Sequence, residues 1–196
     1  MKDETLDAKQ QAILQAAWAA FAAYGFRKTS MDDIATGAGM SRPALYLHYR
    51  NKNDILRSLV QSYYDTAVVD VAQALKGPGT VAMCLHHALL AQGGPKIEAM
   101  LNSPHGMELL ESSSTTAADV VDKGEAQLRN IYADWFAVLA SNKQIDLPKT
   151  PIHLAETLTY ACKGLKKSGV SAEDYKMRLE TLAMLCLLYT SDAADE

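Results

Sequence analysis

Apolar positions along this chain recur three and four residues apart, the spacing that places side chains on one face of an α-helix. The first such segment ends before Gly25, a residue type that stops helices. Its apolar positions are Ile13, Leu14, Ala17, Trp18 and Phe21. No long segment alternates apolar and polar positions with period two, so the pattern predicts helices throughout and an all-α fold.

Capping and breaking residues divide the N-terminal region into short helices. The spacing of Ser30 and Asp33 is that of a capping box, and it predicts a short helix that ends near Gly37–Gly39. Ser41, with a proline two residues later, predicts the start of a second short helix. A long fourth helix is predicted to begin at Asn51 and to end before the Gly-Pro-Gly at 77–79.

The remainder of the chain is predicted to be helical as well, for a total of about nine helices. A helix is predicted from Thr80 through Leu90, stopped by Gly93-Gly94-Pro95, and a shorter helix follows that is broken around Ser103-Pro104 and loosened by Ser112 to Thr116. A long helix is then predicted to end near Ser141. The last two helices are predicted to start at Thr150-Pro151 and at a cap formed by Ser171 and Asp174.

Composition narrows the class of protein. With 196 residues, 48% of them hydrophobic and 21% charged, the chain is long enough to bury a sizeable core, which excludes disordered and fibrous classes. No apolar stretch approaches the roughly 20 residues of a membrane span, and residues 1–10 lack the pattern of an export signal, so a cytoplasmic protein is expected. The odd number of cysteines, at positions 84, 162 and 186, favours reduced thiols.

The net charge of −4 conceals a local basic region. Between Gly25 and Arg57 there are six basic and three acidic residues. The same stretch holds the two short helices, joined by a Gly-containing turn and flanked by longer helices, which is the pattern of a helix-turn-helix. Its second helix, predicted over Ser41–His48, is the element that such proteins place in the major groove of DNA.

The stretch Gly25–Leu56 closely resembles the N-terminal DNA-binding domain of the TetR/AcrR family of bacterial transcriptional regulators. The resemblance covers residues of about 8 to 60 and departs from the family at Tyr49, where Phe is usual, and at Asn51, where Ser is usual. The residues at family spacing are Gly25-Phe26, Thr29-Ser30, Ile34-Ala35, Ala38-Gly39, Tyr46, Tyr49, Lys52 and Leu56. The resemblance implies two domains. The first is a helix-turn-helix domain over residues 1–52, with the start of the fourth helix, and the second is an effector-binding and dimerisation domain over residues 53–185.

Carried over position by position, the resemblance implies which residues contact double-stranded operator DNA. Side chains at the start of the second short helix are expected to read bases, and the others to contact phosphate or to lie beside it. The base-reading candidates are Ser41, Arg42, Pro43 and Ala44, and the remaining candidates are Arg27, Lys28, Thr29, Ser30, Tyr46, His48 and Lys52. The simpler interpretation is that Thr29 and Ser30 only cap a helix.

The resemblance also implies a homodimer and an apolar small-molecule effector bound among the C-terminal helices. Met and aromatic residues at helical spacing are, however, more often plain core. The candidate pocket residues are Met83, His87, Met100, Met107, Trp135 and Phe136. The candidate dimer residues, on the last two helices, are Leu154, Leu158, Ala161, Leu165, Tyr175, Leu179 and Leu182.

Nothing in the sequence indicates catalysis, a metal or a cofactor. Cys84 and His87 are one turn apart, with His86 beside them, but two ligands on one turn without clear partners favour ordinary histidines. No metalloprotease, hydrolase or phosphate-loop motif occurs. The expected function is a dimeric, ligand-released repressor. The alternative is a helical binding or enzymatic protein in which the helix-turn-helix is structural.

The last eleven residues, Cys186 to Glu196, resemble a translated sequencing adapter, and the alternative is an ordinary acidic tail. Without the three acidic residues at 192, 195 and 196 the net charge changes from −4 to −1. The expectation is an artefactual tail that frays from about Ser191 and a last natural helix that is truncated.

Overall fold

The computed structural model describes residues 2–167 and 169–188. Within these ranges the chain forms α-helices and no β-strand, which confirms the predicted all-α class. The helices are α1 (Lys2–Tyr24), α2 (Met31–Gly37), α3 (Arg42–Tyr46), α4 (Lys52–Ala74), α5 (Val81–Leu101), α6 (Gly106–Thr116), α7 (Ala118–Ser141), α8 (Pro151–Gly164) and α9 (Ala172–Leu188). The expected tail from Ser191 lies outside the described residues.

The chain divides into two compact units, and the first of them is discontinuous in sequence. Unit 1 contains the residues up to Tyr63 together with Ala99–Val121, and unit 2 contains Tyr64–Glu98 and the residues from Asp122 onward. Helix α6 therefore belongs with the N-terminal helices. The domain boundaries inferred from the sequence, at residues 52 and 185, remain a prediction.

Unit 1 is organised around apolar side chains of its first four helices. Helix α1 packs against α2 and α6, and α2 packs against α3. Phe21 and Phe26 meet edge to face, with ring centroids 5.1 Å apart, a favoured arrangement of aromatic pairs. Fully buried residues of this core are Ile13, Phe21, Ile34, Leu45, Ile55 and Leu56. These buried residues come from α1, α2, α3 and the start of α4.

Helix α5 contains the break that the Gly-Gly-Pro sequence predicts. Gly94 has φ 60° and ψ 178°, a conformation that essentially only glycine adopts, and Pro95 follows it. The helix resumes after Gly94 and continues to Leu101. The stop was therefore predicted at the right position, and the chain bends there between two helical segments.

Helix α6 is regular through Thr116, although its run of hydroxyl residues predicted a loosened segment. The hydroxyls of Ser113, Ser114 and Thr115 each donate to the carbonyl four residues earlier, at 2.8, 3.1 and 3.2 Å. Because the hydroxyls bond within the helix, they do not compete for the backbone in a non-helical conformation. The expectation of a loosened segment was wrong for this reason.

The core of unit 2 contains a buried polar pair. The Tyr132 hydroxyl donates to Oε1 of Gln92 at 2.9 Å, and both side chains are buried. The indole Nε1 of Trp135 donates to the carbonyl of Leu75 at 3.1 Å. The surrounding core includes Leu85, Leu89, Leu128, Leu158 and Leu179.

Cys84, Cys162 and Cys186 are free thiols, as expected. Burial raises the pKa of the Cys162 thiol to about 12, so this residue stays protonated and unreactive near neutral pH. In the described part of the chain, no helix is long and apolar enough to cross a membrane. Nor do three or more His, Cys, Asp or Glu side chains in that part come together in a possible metal site.

Candidate nucleic-acid interface

The helix-turn-helix begins with the predicted capping box. The Ser30 hydroxyl accepts from the backbone N–H of Asp33 at 3.2 Å, and the Asp33 carboxylate accepts from the backbone N–H of Ser30 at 2.8 Å. The Ser30 hydroxyl also donates to the Asp33 carboxylate at 2.7 Å. The bonds from the Ser30 backbone N–H, which contributes most, and from its hydroxyl hold the pKa of Asp33 below its ordinary value. The start of α2 is therefore fixed by its own sequence.

The turn between the two short helices is a Schellman motif. The N–H of Met40 donates to the carbonyl of Ala35 at 3.0 Å, and the N–H of Gly39 donates to the carbonyl of Thr36 at 3.1 Å. Gly39 has φ 65°, the left-handed conformation that this motif requires. The turn thus satisfies the last carbonyls of α2 and directs the chain into α3.

Helix α3 is short, and its two faces differ. Ser41 caps it by accepting from the N–H of Ala44 at 3.4 Å. Leu45 is fully buried and Tyr49 is 6% exposed, so both side chains pack inward as predicted. On the outer side, Tyr46 is 42% exposed and Leu47 is 86% exposed. The outer face is therefore available to a large ligand such as duplex DNA.

Arg42, the first residue of α3, contacts residues of both short helices. Its Nη1 donates to Oδ2 of Asp32 at 2.9 Å, and its Nη2 donates to the Tyr46 hydroxyl at 3.4 Å. The guanidinium carbon also lies 5.6 Å from the centroid of the Tyr46 ring, within cation–π range. The Tyr46 hydrogen bond, followed by the Asp32 charge, raises the pKa of Arg42 above its ordinary value.

Lys52 and Thr29 bind the protein's own backbone. The Lys52 ammonium donates to the carbonyls of Phe26, Arg27 and Thr29 at 2.8, 2.8 and 2.9 Å. Thr29 is 2% exposed, and its hydroxyl donates to the carbonyl of Gly25 at 2.8 Å. Both side chains stabilise the α1–α2 turn, and their predicted phosphate contacts would need these hydrogen bonds to be replaced.

Helix α6 and the residues just before it also hold the α1–α2 turn. Glu108, in the first turn of α6, accepts from the backbone N–H of Arg27 at 2.9 Å, and its other oxygen lies 3.5 Å from Nδ1 of His105. Close by, the Ser103 hydroxyl donates to the carbonyl of Ala22 at the end of α1. An open groove of about 820 Å³ runs between this part of α6 and the exposed side chains of Arg27 and Lys28. The α1–α2 turn is therefore fixed from two sides within unit 1.

Most of the predicted DNA-binding residues are exposed or partly buried within unit 1. The exposed members are Arg27, Lys28, Ser30, Ser41, Arg42, Pro43 and Tyr46; the partly buried members are Ala44, His48 and Lys52; and Thr29 is buried. The assignment of contacts to bases or phosphate remains a prediction.

Sequence reasoning did not find Asp32, Glu108 or Leu47. Asp32 is ten positions from its partner Arg42, and Glu108 is 81 positions from Arg27, so neither contact follows a helical spacing. The position of Leu47, directly after the last residue of α3, could have indicated that its side chain is exposed.

The candidate pocket residues do not all lie in one unit. Met100 and Met107 lie within Ala99–Val121 of unit 1, whereas Met83, His87, Trp135 and Phe136 lie in unit 2. Met83 and His87 are exposed, and Phe136 is 5% exposed. The Trp135 and Phe136 rings are in contact, with centroids 5.3 Å apart. A ligand-lining role for these six residues remains a prediction.

Several candidate dimer residues are buried within the single chain. Leu158, Tyr175 and Leu179 are 2%, 3% and 1% exposed, and Leu154, Ala161, Leu165 and Leu182 are partly buried. Among the side chains that the structure describes on α8 and α9, the large apolar ones that are exposed are instead Ile152, Tyr160, Met177, Met184 and Leu185. A role of the first set in dimerisation remains a prediction.

The fold and the geometry of residues 30–49 define an all-helical helix-turn-helix protein. More specifically, residues 13–59 match the sequence profile of the family described as bacterial regulatory proteins, tetR family. The predicted resemblance is thereby confirmed over residues 13–59, which match the N-terminal domain of this family.

A curated relative is the HTH-type transcriptional activator FasR of Mycolicibacterium smegmatis, which is 36% identical over 70 residues. The alignment covers 36% of this chain and 32% of FasR, so the chain spans about a third of the length of this relative.

Solved structures share the fold over most of the chain. The structure of SmeT, described as the repressor of the Stenotrophomonas maltophilia multidrug efflux pump SmeDEF, covers 94% of this chain and 91% of its own, with a TM-score of 0.68 and 20% identity. A transcriptional regulator from Cytophaga hutchinsonii covers 92% of this chain and 97% of its own, with a TM-score of 0.73 and 18% identity. At these identities the likeness concerns the fold.

Proposed function

We propose that this protein is a cytoplasmic transcriptional repressor that binds a palindromic operator as a homodimer and is released from DNA by a small-molecule effector. The observation that carries the DNA-binding part is the exposed outer face of α3. This face exposes Arg42 and Tyr46, and the α1–α2 turn of the same unit adds the exposed cations Arg27 and Lys28. A short recognition helix of this kind reads base edges while neighbouring cations contact phosphate.

A gel-shift titration with the DNA upstream of its own gene tests DNA binding. Affinity should fall as salt rises, because phosphate contacts release counterions, and a random duplex should bind more weakly. If Arg42 contacts a guanine, Arg42→Ala should reduce the free energy of binding to the operator by about 1 to 3 kcal/mol and should change the base preferred at that position. Binding that is independent of salt and sequence would contradict the proposal and favour a structural role for the helix-turn-helix.

The homodimer is proposed because one short recognition helix reads only a half-site. Two copies related by a two-fold axis, with recognition helices about 34 to 36 Å apart, would read a palindrome. The exposed apolar side chains of α8 and α9 support this arrangement, since Met177 and Met184 lie two turns apart on one face of α9. We place the interface on this exposed face.

Effector binding is proposed for unit 2, where the Trp135 and Phe136 rings lie in contact. The structural neighbour SmeT has been solved in a complex with triclosan. A ligand that binds the DNA-incompetent conformation more tightly would lower operator affinity by its difference in affinity for the two states.

Tryptophan fluorescence tests this effector class directly. The chain has two tryptophans, so Trp18→Phe leaves Trp135 as the only reporter. Titration with triclosan should quench this signal and, at saturation, weaken DNA binding. Quenching without any change in operator affinity would contradict release by this ligand, and the absence of quenching would exclude it as an effector that contacts Trp135.

A further inference from the structure

We infer that Asp32 is a specificity-determining residue, because it holds the Arg42 guanidinium in position to read a guanine. This inference rests on the proposed DNA-binding function and extends it to a residue that lies outside α3. Asp32 belongs to the first turn of α2, and Arg42 is the first residue of α3. Their side chains meet across the turn at 2.9 Å.

The contacts restrict the guanidinium on two sides. Nη1 donates to the Asp32 carboxylate, and Nη2 donates to the Tyr46 hydroxyl, while the Tyr46 ring lies under the guanidinium carbon at 5.6 Å. An arginine has five N–H donors in a rigid fork, so three remain for an external acceptor. A bidentate contact with O6 and N7 of guanine needs two of them.

Holding the Arg42 guanidinium in place before DNA binds favours a guanine at the contacted position. A free arginine side chain loses rotamer freedom when it binds, whereas one that is already held loses less. The Asp32 carboxylate also places a negative charge beside the recognition helix. Because it repels phosphate, it lowers affinity for every duplex alike. The difference in affinity between the correct site and other sites therefore comes from the positioning of Arg42, while the charge of Asp32 sets overall affinity.

Both members of the pair are solvent-exposed, each with a side chain 57% accessible. An exposed ion pair of this kind contributes little to folding. The pair is therefore better explained by its position at the start of the recognition helix than by stability.

In vitro selection from a random duplex library tests the inference without knowledge of the operator. The wild-type protein should select sites with a guanine in each half-site, and Arg42→Ala should lose the preference at that position. Asp32→Asn should lower the preference for that guanine several-fold, leave the other positions unchanged, and bind random duplex more tightly. Asp70→Asn, which removes the same charge from an exposed position in unit 2, should retain the wild-type preferences.

A double substitution separates positioning from charge. Since Asp32 acts on base preference through Arg42, Asp32→Asn in an Arg42→Ala background should leave base preference unchanged and affect only overall affinity. Circular dichroism of each variant confirms that it is folded, and Asp32→Ala provides a second variant.

The possible failures are distinguishable. If the wild-type protein selects no sequence at any salt concentration, the proposed function itself is wrong. If the wild-type protein selects a guanine through Arg42 while both Asp32 variants retain the same preference, the inference about Asp32 is overturned and the DNA-binding proposal stands.

Discussion

Tyr49 carries a buried hydroxyl that has no hydrogen-bond partner among the described residues. The side chain is 6% exposed, at the end of the helix-turn-helix. Burying a hydroxyl without a partner costs about 1 to 3 kcal/mol relative to a satisfied group. Tyr49→Phe should therefore raise the free energy of unfolding by about 1 kcal/mol in urea denaturation. Tyr24→Phe, at a 59% exposed position, is the control and should change little. A destabilised Tyr49→Phe variant would show that the hydroxyl is satisfied in solution.

Lys52 donates three hydrogen bonds to backbone carbonyls, so its main role is expected to be structural. Lys52→Met removes the ammonium and retains much of the stem. It should lower the free energy of unfolding by about 1 to 3 kcal/mol. The slope of log affinity for DNA against log salt should stay unchanged, since no phosphate contact is lost. Lys28→Met, at an exposed position, should instead reduce that slope by about 1 without affecting stability. A reduced slope for Lys52→Met would restore its predicted phosphate contact.

Helix boundaries were predictable because their causes are local. The capping box at Ser30, the left-handed Gly39 and the cap at Ser41 each act within four residues, and all three are present in the structure. The contacts of Asp32 and Glu108 were not predictable, since they join positions that only the folded chain brings together. The sequence therefore predicted which residues belong to the candidate site, but it did not predict which side chains these residues contact.

Helices α4 and α7 approach closely in unit 2 because one of them carries a glycine at the contact. A Cβ atom at Gly124 would overlap the ring of Tyr64, which is 8% exposed. Gly124→Ala must displace one helix or the ring, and it should lower the free energy of unfolding by about 1 to 3 kcal/mol. The control is Gly164→Ala at the end of α8, where nothing lies within 4 Å of an added Cβ. Gly164→Ala should leave the free energy of unfolding unchanged in thermal or urea denaturation. An equal loss of stability in the two variants would contradict a steric cause.

At the scale of the molecule, acid stability should depend in part on the ion pair between Arg57 and Asp119. Two hydrogen bonds of 2.7 Å join the two side chains and lower the pKa of Asp119 from 3.8 to about 2. Because the folded-state pKa is the lower one, the stabilisation is present above about pH 4 and is lost as the pH falls towards 2. Asp119→Asn should flatten this part of the curve of unfolding free energy against pH. The change should be small, because the Asp119 side chain is 70% exposed. An unchanged acid limb would show that the pair is absent in solution.

Dimerisation is the second property of the whole molecule that can be tested. Met177→Glu with Met184→Glu places charges on the exposed face of α9, at positions that are 54% and 56% exposed. Analytical sedimentation at micromolar concentration should show a dimer for the wild-type chain and a monomer for this variant. Val69→Glu with Val138→Glu, at positions 52% and 55% exposed outside α8 and α9, should remain dimeric. A chain ending at Leu185 tests the contribution of the last residues. A wild-type monomer would contradict the dimer.

The discontinuity of unit 1 has a consequence for synthesis. A ribosome makes the chain from its N-terminus, so α1, α2 and α3 are complete before Ser103 and Glu108 exist. The hydrogen bonds that these two residues make to the end of α1 and to the following turn form only after residues 64–98 have been made. These contacts therefore depend on a later part of the gene, and a message truncated before residue 99 would yield the helix-turn-helix without the α6 contacts that hold the end of α1 and the α1–α2 turn.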